Sequence, residues 1–137
     1  MSAWNPQEVE RVATAIVDCS VKIHQTLGPG LLESVYVRIL VHELRKRGLD
    51  VKTEVPVHVH WDGEDLGVGY RVDLLVNDCV VVEAKSVEAN SKLHSKQALT
   101  YICPLGLPLA FVLNFGQRLM KEGIERVAND YYRSVEL

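Results

Sequence analysis

Two apolar runs separated by three residues, YRVDLLV (70–76) and VVVEAKS (80–86), constrain this chain more than any other feature. Each is rich in β-branched valine, and each carries a carboxylate near its middle, Asp73 in the first and Glu83 in the second. Such segments bounded by turn residues read as strands. A two-residue loop at Asn77-Asp78 pairs Val76 with Cys79, sets Asp73 opposite Val82 and mixes polar with apolar residues on both faces. A three-residue loop pairs Val76 with Val80 instead. One face then carries Val72, Leu74, Val76, Val80, Val82 and Ala84, and the other Arg71, Asp73, Leu75, Val81, Glu83 and Lys85. A slip of one residue exchanges the faces, so the apolar pattern selects the second register. Asp73 then lies opposite Glu83, and Arg71 opposite Lys85.

That pairing is costly for a bare sheet. Two ionised carboxylates about 5 Å apart repel by roughly 3 kcal/mol at an effective dielectric near 20. Either one carboxyl keeps a proton or a cation stands between them. A hard divalent ion suits the second case, because Mg²⁺ takes oxygen ligands, needs one or two protein carboxylates and fills its remaining positions with water or phosphate.

The remaining pattern is mixed α/β. Residues 7–27 space Val9, Val12, Ala13, Ile16, Val17, Ser20, Ile23 and Leu27 as one face of a helix, closed by GPG at 28–30. A second helix with Leu31, Leu32, Val35, Ile39, Leu40 and Leu44 facing inward ends near Gly48 after the basic RKR. Period-two alternation follows from Val51 to Trp61, with WDGEDLG as a turn and a strand over 67–76. Helical spacing returns in ANSKLHSKQALTYI with Ser91 as cap. CPLGLP breaks that helix, and LAFVLNF (109–115) is a buried strand whose edge offers a route to a homodimer. In the tail, GIERV reads as an edge strand and ANDYYRSVEL as a frayed helix. The order is α-α-β-β-β-α-β-β in a single domain over 1–137, helices flanking one sheet.

Composition narrows the function classes. With 47% hydrophobic and 24% charged residues the chain is of ordinary globular make-up. A net charge of −3 gives no global basic field, so a polyanion must be held by a local patch or a metal. Cys19, Cys79 and Cys103 form no zinc pattern and read as buried thiols of a reducing compartment. Neither a signal peptide nor a membrane span is visible, so the expected location is the cytoplasm.

An acidic residue on one strand followed by Glu-x-Lys on the next resembles the PD-(D/E)XK nuclease superfamily, here as Asp73 and Glu83-Ala84-Lys85. Gly30-Leu-Leu-Glu33-Ser-Val-Tyr36 resembles the defining motif of its GxxExxY branch, and LGVGYRVDLLV and LNFG look like further blocks of that family, over roughly residues 20–128. The resemblance implies a restriction-endonuclease-like core. It implies that Glu33, Asp73 and Glu83 with the Ala84 carbonyl bind Mg²⁺ or Mn²⁺, and that Lys85 positions or deprotonates water or offsets phosphate charge. Val72 stands where the superfamily's name has proline. QALTY resembles a Q-x-x-x-Y element, which implies that Gln97 and Tyr101 contact the substrate backbone; His94 shares their face by spacing, and Lys92 and Lys96 near the helix start offer a local positive patch for substrate.

Plainer readings exist for each part. Glu33 suits a helix N-terminus whatever its function, and Glu83 and Lys85 could form a solvated edge with Arg71 and Asp73. Tyr36 is expected beneath the site, and His58 and His60 on a solvated strand face. The resulting expectation is a metal-dependent nuclease acting on nucleic acid, DNA before RNA. The alternatives are a nuclease-like binding module without turnover and a structural dimer unit.

Overall fold

In the computed structural model, which describes residues 4–129, helical spacing at the N-terminus becomes α1 (Pro6–Leu27) and α2 (Glu33–Lys46). Asn5 caps α1 by accepting from Gln7 N–H at 2.9 Å, with Pro6 in the first helical turn. The buried stripe runs from Val9 through Ile16 and Ile23 to His24, whereas Val17 is half-buried and Leu27 exposed. Helix α2 starts two residues later than its leucines suggest. Gly30, at φ 96°, and an extended Leu32 keep the preceding chain out of the helix, so Leu31 and Leu32 point to solvent. Tyr36, Leu40 and Leu44 are the fully buried residues of its inner face, with Val35 and Ile39 half-buried.

Three strands follow as an antiparallel meander, β1 (Val51–Trp61), β2 (Glu64–Val76) and β3 (Val80–Lys85). The expected WDGEDLG turn contracts to Asp62-Gly63, both at positive φ, which matches the twist of a tight hairpin and lengthens β2. Helix α3 (Lys92–Leu105) crosses over to β4 (Leu109–Asn114), parallel to β3. After a single helical turn, α4 (Met120–Gly123), β5 (Ile124–Ala128) pairs antiparallel to β4. The sheet order β1-β2-β3-β4-β5 places helices on both faces, an α/β arrangement consistent with a restriction-endonuclease-like fold. Strand β4 lies between β3 and β5, so LAFVLNF has no free edge for a homodimer; GIERV supplies the edge instead. The ANDYYRSVEL reading lies, beyond Asn129, outside the described residues.

The helix α3 continues past CP to Leu105 and ends at Gly106 in the left-handed conformation. Pro104 has no N–H for the Thr100 carbonyl one turn back. Tyr70 Oη donates to that carbonyl instead, at 3.3 Å, which lets the last turn survive. Of the three thiols, Cys19 and Cys79 are buried but Cys103, on the outer side of this turn, is exposed. Among the described residues, no helix is long and apolar enough to cross a membrane.

Register in the central hairpin follows the three-residue loop, with Val76 opposite Val80, Leu75 opposite Val81 and Leu74 opposite Val82. The faces behave less simply. Leu74 and Val76 join the core under α1 and α2, but Val72 packs with Leu75 and Val81 under α3. Strand β1 does the same: Thr53 lines a groove beside α2, whereas Val55 and Val57 pack under α3. Both strands therefore exchange faces at one rung, between Thr53–Leu74 and Val55–Val72. Glu54, at φ 53°, and Asp73 occupy that rung. The expected all-apolar face fails at Val72 because Asp73 leaves the regular ladder.

The segment from Ser86 to Ser91, joining β3 to α3, is held by side chains from the end of β4. Buried Asn114 accepts from Val87 N–H (3.1 Å) and Gly116 N–H (3.0 Å) and donates to Asn90 Oδ1 (2.9 Å). Gln117 Nε2 donates to the Glu88 carbonyl at 2.7 Å. A Cβ on Gly116 would stand 2.2 Å from the Val87 carbonyl oxygen, so the LNFG run requires glycine for close approach of two backbones. Gly116→Ala is expected to destabilise the chain by about 2 kcal/mol. Urea denaturation checks this, with an unchanged midpoint counting against the packing described.

Candidate active site

The first part of the site is built by the Gly30–Tyr36 motif. Gly30 supplies a positive φ, Glu33 opens α2, and Tyr36 returns one turn later to hold the loop. Tyr36 Oη donates to the Gly28 carbonyl at 2.6 Å and accepts from Leu31 N–H at 3.1 Å. Its ring stacks on Phe115 with centroids 4.3 Å apart, and both side chains are fully buried in the core. Ser86 Oγ donates to the Leu31 carbonyl, tying this loop to the end of β3. Glu33 is exposed at the resulting junction and forms no ion pair with the described residues.

Asp73 and Glu83 meet in the rung where the ladder stops. Asp73 N–H donates to Glu83 Oε1 at 3.0 Å, and Ala84 N–H donates to Asp73 Oδ2 at 2.8 Å. Each carboxylate thus replaces a backbone acceptor of the neighbouring strand. Asp73 Oδ1 and Glu83 Oε2 form no hydrogen bond among the described residues. Glu83 is buried at 9% exposure on the middle strand of five, which excludes the solvated-edge reading.

The electrostatics follow from this burial. Desolvation, and then the neighbouring Asp73 charge, push Glu83 up to about 7. Desolvation also raises Asp73 above the usual carboxylate range, opposed by the Ala84 N–H and assisted by Glu33. Lys85, half-buried at the end of β3, favours the charged form of both carboxyls and forms no ion pair with the described residues. Five groups, Glu33, Glu54, Asp73, Glu83 and Lys85, therefore share one electrostatic neighbourhood.

Helix α3 closes one side. Tyr101 lies against Tyr70 of β2 with ring centroids 3.9 Å apart and planes tilted by 37°. Burial, Glu83 and Asp73 raise the Tyr101 phenol, and burial, Tyr101 and Glu83 push Tyr70 up to about 12. Gln97 is half-buried one turn before Tyr101, and Lys96 is exposed. His94, two turns before Tyr101 on the same helix face, lines a small recess with Asn90, Val112 and Glu125, toward β4 and β5. His58 and His60 lie exposed on the β1–β2 hairpin, both beside Asp65.

Sequence reasoning missed Tyr70 and Glu54. Strict alternation places Tyr70 and Asp73 on opposite faces, and only the exchange at Asp73 brings the tyrosine to the site. Pro104 was its one detectable signal, since a helical proline leaves a carbonyl in search of a donor. Glu54 gave none, being an acidic residue on an exposed strand.

The donor chemistry can be tested against a divalent ion. Among the described residues, no three His, Cys, Asp or Glu side chains gather tightly enough to hold a metal by themselves. Two adjoining carboxylates with unengaged oxygens do fit the one or two that Mg²⁺ takes from a protein. Their raised proton affinity marks a pocket that disfavours two bare negative charges.

Glu83 binds its proton more tightly folded than unfolded, so the stability it contributes is fully present below pH 4.5 and is lost as pH rises through about 7. The loss attributable to this group is about 3 kcal/mol. Glu83→Gln keeps an acceptor for Asp73 N–H and is expected to remove that decline. Denaturant titrations of both proteins at several pH values check it; parallel curves would contradict the assignment.

In comparison with known proteins, a model of the PD-(D/E)XK nuclease superfamily matches residues 10–127. No curated protein and no solved structure matches the chain.

Proposed function

The chain belongs to the PD-(D/E)XK nuclease superfamily, and from that premise we propose that it is a divalent-metal-dependent nuclease hydrolysing phosphodiester bonds, with DNA preferred over RNA. Within the superfamily we assign it to the GxxExxY branch on Gly30, Glu33 and Tyr36, and we place it in the cytoplasm. The observation that carries the reading is the pairing of half-buried Asp73 with buried Glu83, beside Lys85 and within reach of the Glu33 charge.

In this reading Asp73, Glu83 and the Ala84 carbonyl hold Mg²⁺ or Mn²⁺, with Glu33 completing the acidic set. A divalent ion would supply Lewis-acid polarisation of the phosphate and a lowered water pKa. Lys85 orients the attacking water, accepts its proton or offsets negative charge on the phosphate. Gln97 and Tyr101 contact the substrate backbone from α3, and exposed Lys96 adds the local positive charge that the whole chain lacks. Tyr70 acts as a positioning residue that seats Tyr101.

One observation favours the alternative of a binding module without turnover: Asp73 Oδ2 and Glu83 Oε1 are already engaged by backbone N–H groups. Incubation of the purified chain with linear and single-stranded DNA in Mg²⁺ or Mn²⁺ separates the two. The nuclease reading expects cleavage abolished by chelation and reduced by about 10²-fold or more in Asp73→Ala and Lys85→Ala. Wild-type binding at low salt without cleavage, or cleavage unchanged in both variants, would overturn it.

A further inference from the structure

The β1–β2 hairpin continues past the cover of α3 and ends in an apolar tip. Trp61 is 75% exposed and Leu66 65%, although neither belongs to the site. Asp62 and Glu64 flank them and form no ion pair among the described residues. Asp65, the third acid of the hairpin end, lies beside His58 and His60, so among the described residues Asp62 and Glu64 carry the tip's uncompensated negative charge.

The opposite combination lies at the other end of β1. A groove of about 570 Å³ runs between α2 and Thr53, with half-buried Val37 and Val41 at its base. Arg38 and Lys46 stand on its walls. Arg38 has no ion-pair partner among the described residues, and Lys46 has only Glu43, at 3.4 Å. A tryptophan with acidic neighbours matches an apolar groove with basic walls in apolar character and in charge.

A chain cannot fill its own groove with its own tip. Thr53 and Trp61 are eight residues apart on one strand, about 27 Å. A second copy can. Strand β1 is a sheet edge, and a two-fold axis near Val57 lays two β1 strands antiparallel, bringing each tip to the other's groove. Continuous strand pairing is not needed and is opposed by Pro56, which has no N–H, and by the left-handed Glu54. We propose that the chain forms a two-fold homodimer in which the Trp61 hairpin tip of each copy docks into the α2 groove of the other. This proposal is independent of nuclease activity.

Sedimentation velocity of the full chain, over roughly a hundredfold range of concentration up to about 100 μM, tests it. The wild type is expected to pass from monomer to dimer. Trp61→Ser, Asp62→Lys/Glu64→Lys and Arg38→Glu/Lys46→Glu are each expected to raise the dissociation constant by about tenfold or more. An equimolar mixture of the two charge-reversed proteins is expected to regain the dimer, because both tip–groove contacts then join opposite charges. A wild type monomeric throughout, a dimer indifferent to all three changes, or a mixture that stays monomeric would each overturn the proposal. Should a reversed protein fail to fold, Trp61→Ser, which retains every charge, decides the matter alone.

Discussion

The reciprocal exchange between Asp73 and Glu83 is the constraint around which this molecule is arranged. Each carboxylate accepts an N–H from the opposite strand where a backbone carbonyl would otherwise stand. Hydrogen bonds to a charged acceptor are worth about 1.5–3 kcal/mol each, enough to compete with a regular rung. The ladder stops there, and both β1 and β2 change faces beside it. The same exchange that buries Glu83 and half-buries Asp73 also turns Tyr70 toward α3. Fold irregularity and site chemistry have one cause.

The surroundings hold that rung from both sides. Tyr36 and Ser86 fix the Gly28–Leu32 loop and so bring the start of α2 to the end of β3. Asn114 and Gln117 fix the segment leading into α3. Much of what distinguishes the sequence, GLLESVY and LNFG included, thus serves to hold loops. Glu33 is the exception within its motif, since neither packing nor an ion pair accounts for it.

How much was legible in the sequence depended on whether one face or several forces decided a position. The Val76–Val80 register was legible because a one-residue slip would have mixed Asp73, Glu83 and Lys85 with the valines on both faces. The helices α1 and α2 were legible from spacing, but not the exposure of Leu31 and Leu32, because Pro29 and Gly30 override hydrophobic preference locally. Val72 was misplaced since alternation assumes an unbroken ladder, and the break is made by side chains. The strand LAFVLNF was read correctly as buried but wrongly as an edge, because apolar runs do not reveal their neighbours. CPLGLP reads as a helix stop, yet Pro104 stands inside α3, where a tyrosine from another strand satisfies the carbonyl it leaves.

The most direct test of the account is calorimetric titration of the chain with Mn²⁺ in buffers of different ionisation heat, near pH 6.5 and near pH 8. If the Asp73–Glu83 pair is an acidic pocket that holds a cation in place of a proton, binding at the lower pH will release close to one proton and binding at the higher pH far less. Glu83→Gln will bind more weakly, with the proton release gone. Absence of binding, or binding with equal proton release at both pH values and in Glu83→Gln, would contradict it.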